Sequence, residues 1–480
     1  MKTYELVVPC HFGLEAVLKR EIYDLGYEIG RVEDGRITFT GDEEAICRAN
    51  IFLRTAERVL IQVGRFHAET FEELFQGIKA LPWENYIPEN GKFWVKKASS
   101  IKSKLFSPSD IQSIAKKAMV ERLKQQYHKE WFPEDGAPYP VRIFLLKDEV
   151  MVTLDTSGDS LHKRGYRTLT SKAPLTETLA ASLLMLTPWR PDRILVDPFC
   201  GSGTFPIEAA MIAANIAPGM NREFTAEQWT NIIDRKVWYE CVKEAQDMVN
   251  DDITVDIQGY DIDGEIIRAA RDNAKRAGVD HLIHFQQRPV SELKNPKKYG
   301  FVITNPPYGE RISTNDLLGL YQMIGERLKH AFVGNEAWVL SYREECFDQI
   351  GLKASQKVPL FNGPLECEFR KYEIFDGKYK EFKSQEEGEE KKETEGEQAP
   401  RFRERKEFKP RREGEFKPRR DGESRPRREG EYKPRREGDE FKGDDRDRKP
   451  RGEFRGGRDS RGPREFRGNR EPRIPKKEEE

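Results

Sequence analysis

The sequence predicts the α/β fold class: a Rossmann-like domain over residues 157–377, preceded by small α+β modules at 1–64 and 65–156. A disordered tail at 378–480 follows. Three observations carry this. An apolar run, Ile194-Leu195-Val196, ends in Asp197 and a turn containing Gly201 and Gly203, followed by an Ala-rich helix from Phe205 to Ala214. This is the strand, glycine turn and helix that bring a nucleotide-like ligand close to backbone. Strand-like runs then end in Asp261 and Asn305, so three polar tips fall in order along the carboxyl edge of one predicted parallel sheet. Beyond residue 377 the apolar residues thin out and charge takes over.

Tyr4–Val8 reads as the first strand of the N-terminal module. Gly13–Leu25 reads as a helix whose apolar stripe is Leu14, Val17, Leu18, Ile22 and Leu25. Asp34-Gly35 before Arg36-Ile37-Thr38-Phe39 is a hairpin-type turn. In the second module, Phe71, Leu74, Phe75 and Ile78 mark a helix. Phe93-Trp94-Val95 begins a strand leading into a Lys/Ser loop from Lys96 to Lys104. Ser107 is a helix N-cap with Pro108 at the first helical position, and Val141–Leu146 and Val150–Leu154 are strands. Lys96, Lys97, Lys102 and Lys104, among small hydroxyl residues and beside a helix N-terminus, suit phosphate; a solvated surface loop is the alternative. His162-Lys163-Arg164-Gly165-Tyr166-Arg167 joins this module to the next. Lys163, Arg164 and Arg167 are candidates to touch RNA there, or form a charged linker.

The glycine turn does not fit a nucleoside phosphate. No Lys follows Gly203 as a Walker motif needs, and the third glycine of a dinucleotide site is missing. Asp197 would repel a pyrophosphate but suits a cofactor with a cationic end. Asp261 can accept from both ribose hydroxyls, whereas Asp263 reads as a helix N-cap. Gly278 is a helix stop. Later, Gly319–Phe332 is a helix, Ala337–Leu340 a strand, and Phe369–Phe375 a final antiparallel edge strand.

Asn305-Pro306-Pro307-Tyr308 follows Phe301-Val302-Ile303. Two prolines stiffen the backbone and supply no N–H donors, leaving the Asn305 amide oxygen and the Pro306 carbonyl as acceptors beside the Tyr308 ring. Rigid acceptors beside a stacking surface suit the exocyclic amine of a flat base.

D-P-F-C-G-S-G-T at Asp197–Thr204, Y-D-I-D at Tyr260–Asp263 and N-P-P-Y-G-E-R at Asn305–Arg311 together resemble the class I methyltransferases that act on exocyclic amines. Ala173–Ala181 resembles the segment that borders the methionine end of their cofactor. Ala214–Gly219, with the Trp229 and Trp238 region, resembles an insertion of bacterial THUMP-containing guanine-N2 RNA methyltransferases. That insertion places Asp261 beyond the usual ~20 residues from the glycine turn. The resemblance spans residues 1–377. It implies a ferredoxin-like module, a THUMP RNA-binding domain, and S-adenosylmethionine held by Asp197, Phe199, Cys200, Gly201, Ser202, Gly203, Thr204 and Asp261. It also implies methylation of guanine N2 in ribosomal RNA, or transfer RNA, by Asn305, Pro306, Pro307 and Tyr308. Pro289 stands where relatives often carry an acid for the adenine amine. Adenine N6 in RNA or DNA is the alternative target, and an RNA-binding assembly factor on an inactive scaffold is the alternative outside enzymes.

The 83 Lys and Arg against 84 Asp and Glu hide an uneven layout. Residues 401–480 hold 30 basic and 21 acidic residues, about +9, after eight Glu and three Lys at 381–400. Four octads, Glu407–Gly414, Glu415–Gly422, Glu423–Gly430 and Glu431–Gly438, repeat the same basic pattern, and three of them set Phe408, Phe416 or Tyr432 among Arg where the third has Ser424, a composition that suits stacking on unpaired bases. The six cysteines are scattered without zinc spacing, so reduced thiols and no metal are expected, with Cys200 a packed residue rather than a nucleophile. The N-terminus reads as a strand, not a signal peptide, and no run could span a membrane, so a cytoplasmic location is expected.

Overall fold

A computed structural model describes residues 2–167, 175–294, 297–307 and 314–375. Among the described residues the strands are β1 (Tyr4–Pro9), β2 (Ile29–Glu33), β3 (Arg36–Gly41), β4 (Leu60–His67), β5 (Lys92–Ile101), β6 (Pro138–Leu146) and β7 (Glu149–Asp155), then β8 (Leu195–Asp197), β9 (Ile257–Asp261), β10 (Ile283–Gln287), β11 (Phe301–Thr304), β12 (Glu336–Ser341), β13 (Gln356–Asn362) and β14 (Leu365–Glu373). The helices are α1 (Glu15–Asp24), α2 (Glu43–Phe52), α3 (Phe71–Ala80), α4 (Pro108–Tyr127), α5 (Glu177–Leu186), α6 (Thr204–Ala213), α7 (Arg235–Asp247), α8 (Gly264–Ala277), α9 (Thr314–Ala331) and α10 (Glu344–Ile350).

The first seven strands form one sheet in the order β2-β3-β1-β4-β7-β6-β5. β4 pairs with β1 on one side and β7 on the other, so a boundary at residue 64 falls inside a strand that both modules share. Ser107 caps α4, its hydroxyl accepting from the Asp110 N–H. The expected Lys/Ser loop is mostly strand, because β5 runs on to Ile101. A register shift between Val95 and Lys97 makes a bulge, which exposes both Lys96 and Lys97 instead of alternating them.

The second sheet runs β10-β9-β8-β11-β12-β14-β13. β8 to β12 are parallel and β14 is antiparallel to β12. β14 is not the edge strand expected for the chain's end; β13 pairs outside it and forms the edge. Residues 214–250 between α6 and β9 leave this domain. Ala217, Phe224, Trp229, Ile233, Trp238 and Ala245 are buried in the core of the N-terminal sheet. Trp229 stacks on Tyr139 with centroids 5.0 Å apart and donates its indole N–H to the Pro138 carbonyl at 2.7 Å. The insertion therefore ties the N-terminal sheet to the second domain.

Candidate functional site

The parallel strands β9, β8 and β11 end side by side, and each ends in or is followed by one of the polar tips. Cys200 N–H donates to the Tyr260 carbonyl at 2.9 Å and Gly201 N–H donates to Asp261 Oδ2 at 3.1 Å, fastening the glycine turn to the tip of β9. The buried Asn273 amide of α8 donates to the Ser202 carbonyl at 3.1 Å. Gly201 has φ +53° and a Cβ there would meet nothing within 4 Å, so its left-handed backbone faces open space. Gly203, at φ +89°, is closed in: a Cβ would come within 3.0 Å of Phe285. The first glycine serves an approach from outside and the second serves packing, after which Thr204 begins α6.

Asp197 is buried. Its Oδ1 accepts from the Phe199 N–H at 3.1 Å and from the Thr304 hydroxyl at 2.7 Å. Burial pushes its carboxyl up to about 7 despite these bonds, with Asp261 adding repulsion. Burial also raises Asp261, whose oxygens accept from the Gly201 and Asp263 N–H groups. Two carboxyls held up by a shared dry edge form a ready partner for a cation. Asp263 caps α8 through its contacts with the Glu265 and Ile266 N–H groups, as its position implied. Cys200 is buried with its thiol pushed well above the ordinary range, first by desolvation, which leaves it an inert packed residue. Phe199 is half-buried and Ser202 and Thr204 are buried in the turn.

Asn305 is half-buried, Pro306 buried and Pro307 exposed, directly after β11. Tyr308, Ala173, Pro174 and the tail octads lie outside the described residues.

The linker differs from expectation. Arg164 is buried, donating to the Leu161 and Arg54 carbonyls and lying 3.6 Å from the buried Glu208 carboxylate. Arg167 donates to the Leu175 carbonyl at 3.0 Å and the Thr204 hydroxyl at 2.6 Å, and pairs with Glu177 at 3.3 Å. Both guanidiniums bond inside the protein and fix the linker against α5 and α6, a structural role in place of the open cations expected there. Lys163 stays exposed beside Asp159. Lys96, Lys97, Lys102 and Lys104 are all exposed; Lys96 reaches the Gly158 carbonyl and Lys104 pairs with Glu69.

Sequence reasoning missed Thr304 and Glu57. Thr304 is legible in hindsight as the last strand residue before Asn305. Glu57 has no local signal: it lies between α2 and β4 of the N-terminal module and accepts from the Thr178 and Ser160 hydroxyls, with His11 at 3.1 Å and His162 at 3.6 Å. These partners hold its carboxylate ionised well below the usual range, although burial opposes them. The two open depressions that stand out on the surface, about 650 and 470 Å³ with Arg235 common to both, flank the insertion and not these strand tips.

A mostly parallel seven-stranded sheet with a glycine turn after one strand and N-P-P after its neighbour defines a Rossmann-like class I methyltransferase domain. Residues 164–371 match the RMKL-like methyltransferase domain, residues 5–60 the RlmL ferredoxin-like domain and residues 68–155 the THUMP domain. "Putative RNA methyltransferase YpsC" of Bacillus subtilis (strain 168) is 45% identical over 378 residues, 78% of this chain and 96% of that protein. "Ribosomal RNA large subunit methyltransferase K/L" of Photobacterium profundum is 34% identical over 383 residues, 78% of this chain and 54% of that longer protein. Among solved structures, SMU.472, described as a putative methyltransferase complexed with SAH, is 41% identical with a TM-score of 0.74, covering 79% of this chain and 100% of that one. A Listeria monocytogenes str. 4b F2365 protein, described as a predicted N6-adenine-specific DNA methylase, is 44% identical with a TM-score of 0.73, covering 78% and 97%. The chain belongs to the RMKL-like family of THUMP-containing methyltransferases.

Proposed function

We propose that the protein methylates the exocyclic N2 amine of a guanine in structured RNA, with large-subunit (23S) ribosomal RNA as the substrate. S-adenosylmethionine is the cofactor, and when bound it supplies an electrophilic methyl group. The observation that carries the reading is the hydrogen bond to Asp197 from Thr304, the residue before Asn305. An acid suited to a cationic cofactor and an acceptor suited to an amine thus stand on adjacent strand tips.

In this reading the Asp197 carboxylate meets the cofactor's ammonium group and Asp261 accepts its ribose hydroxyls. The open face of Gly201 lets backbone approach. A guanine amine is a poor nucleophile because its lone pair is delocalised into the ring. Asn305 Oδ1 and the Pro306 carbonyl accept its two hydrogens and favour a pyramidal nitrogen, while Tyr308 stacks on the base. Orientation and fixed dipoles provide the rate. The base must leave its stack, at a cost of a few kcal/mol. Contacts of the THUMP domain with flanking RNA, through Lys97, Lys102 and Lys163, offset this, as does the Arg-rich tail. The domain boundaries that fit are a ferredoxin-like module ending within β4, the THUMP domain to residue 156 and the methyltransferase domain to 377.

The ribosomal assignment draws on the K/L relative, and RNA as substrate on the THUMP domain. Adenine N6 is the second reading, favoured by the description of the Listeria protein. The test is transfer of labelled methyl to ribosomal and transfer RNA from cells lacking the protein, followed by nucleoside analysis. Labelled N2-methylguanosine in the large-subunit fraction is the expected product. N6-methyladenosine would replace guanine by adenine, and no labelled nucleoside from any RNA would overturn both.

A further inference from the structure

Phe12 is pinned on both sides and yet leaves half of its surface in water. On one side His11 Nε2 lies 3.1 Å from Glu57 Oε1 and 3.4 Å from each of the Thr176 and Thr178 hydroxyls, at the start of α5. On the other side Gly13, at φ +85°, runs so close to β13 that a Cβ would stand 2.9 Å from the Pro359 carbonyl oxygen. A loop of the N-terminal module is thereby fixed onto the methyltransferase domain at two points. The ring it presents is 50% exposed and meets Phe361, 37% exposed, edge to face with centroids 5.7 Å apart. The two rings meet, so they form a small paired aromatic patch instead of one isolated exposed side chain.

The position of the pair indicates its partner. β13 runs in the same direction as β12, because both are antiparallel to β14. Pro359 and Ser341 both pair with Glu368, so Phe361 stands two residues beyond the end of β12, at the carboxyl edge that also carries Asp197 and Asn305. Three strand spacings separate β11 from β13, which puts the rings on the order of 15 Å from Asn305. That is too far to touch the reacting base and suits a neighbouring nucleotide. Arg343 follows β12, a strand that lies between β11 and β13 in the sheet, and its guanidinium lies over the Tyr342 ring and 3.6 Å from Glu345.

We propose that Phe12 and Phe361 form a stacking platform for an unpaired RNA base flanking the target nucleotide. The inference rests on the RNA methyltransferase reading above. Extruding one base strips its neighbours of a stacking partner, and an aromatic ring restores one with little regard to sequence. The N-terminal module thus contributes to the substrate face directly, through a loop that Glu57 and Pro359 hold rigid.

The test compares wild type with Phe12→Ala, Phe361→Ala and Phe12→Trp. Binding of a fluorescent single-stranded RNA is read by anisotropy, transfer kinetics use RNA from cells lacking the protein, and cofactor affinity uses S-adenosylhomocysteine. Both alanine variants should raise the RNA Kd and KM about tenfold. Cofactor affinity and the thermal midpoint should stay at wild-type values, and Phe12→Trp should restore RNA affinity. If wild type methylates RNA and both alanine variants match its Kd and KM, the platform is overturned while the proposed function stands. If wild type methylates no RNA, the proposed function fails and this inference fails with it.

Discussion

The Thr304 hydroxyl donates to Asp197 Oδ1 at 2.7 Å, joining the tip of β11 to the tip of β8. One residue further on, Asn305 begins the acceptor loop. The bond offsets part of the desolvation that pushes the Asp197 carboxyl up. Thr304→Val keeps the shape and removes the donor. A hydrogen bond to a charged group contributes about 1.5–3 kcal/mol, so titration with S-adenosylhomocysteine should show affinity reduced roughly 10- to 100-fold. Unchanged affinity would mean that Asp197 does not meet the cofactor as a carboxylate.

The Asp197 carboxyl, at about 7 when folded against 3.8 as its ordinary value, also sets a pH dependence. Between these values the folded protein holds a proton that the unfolded chain has lost, so stability falls as pH rises through that window. A cationic cofactor favours the carboxylate, so its affinity should climb from pH 5 towards 7 by up to about tenfold per unit and level off above. Asp197→Asn should flatten both profiles, raise the thermal midpoint of the ligand-free protein at pH 8, and lower cofactor affinity. Calorimetric titrations and thermal unfolding across pH 5–8 measure all of this.

Lys163 and Arg164 are neighbours with opposite fates. Arg164→Ala removes the cation beside the buried Glu208 carboxylate, which keeps the Tyr166 hydroxyl at 3.0 Å, and should cost about 3–5 kcal/mol of stability, read by denaturant unfolding. Lys163→Ala removes an exposed pair with Asp159 and should change stability by less than about 1 kcal/mol, while weakening RNA binding and making it less salt-dependent.

What was legible in the sequence was local. The Ser107 and Asp263 caps, the glycine turn and the stop at Gly278 depend on residues within one turn of chain, and the structure has them where the sequence put them. β5 reads as a loop from Lys96 because a bulge breaks the alternation that marks a strand. β13 carries no strand signature, because Pro359 and its polar residues break the pattern, although an edge tolerates proline. Arg164 reads as an RNA contact or a linker charge because nothing nearby in sequence announces Glu208, 44 residues on. Likewise the insertion's Trp229 packs on Tyr139, a partner that no local pattern names.

Truncation after residue 377 should leave cofactor affinity and the thermal midpoint unchanged. Removing the Arg-rich octads should lower RNA affinity and reduce the slope of log K against log salt concentration, because fewer phosphates are neutralised. Equal slopes for full-length and truncated protein would exclude tail contact with phosphate.

The most direct test of the central claim pairs two readings on wild type and Asn305→Ala: calorimetric titration with S-adenosylhomocysteine, and transfer of labelled methyl to large-subunit ribosomal RNA from cells lacking the protein. The account predicts equal cofactor affinity in the two proteins, with transfer in the variant reduced by at least about a hundredfold, the scale of losing one preorganised group at a reacting centre. Transfer by Asn305→Ala at the wild-type rate, or wild-type protein with no affinity for S-adenosylhomocysteine, would contradict it.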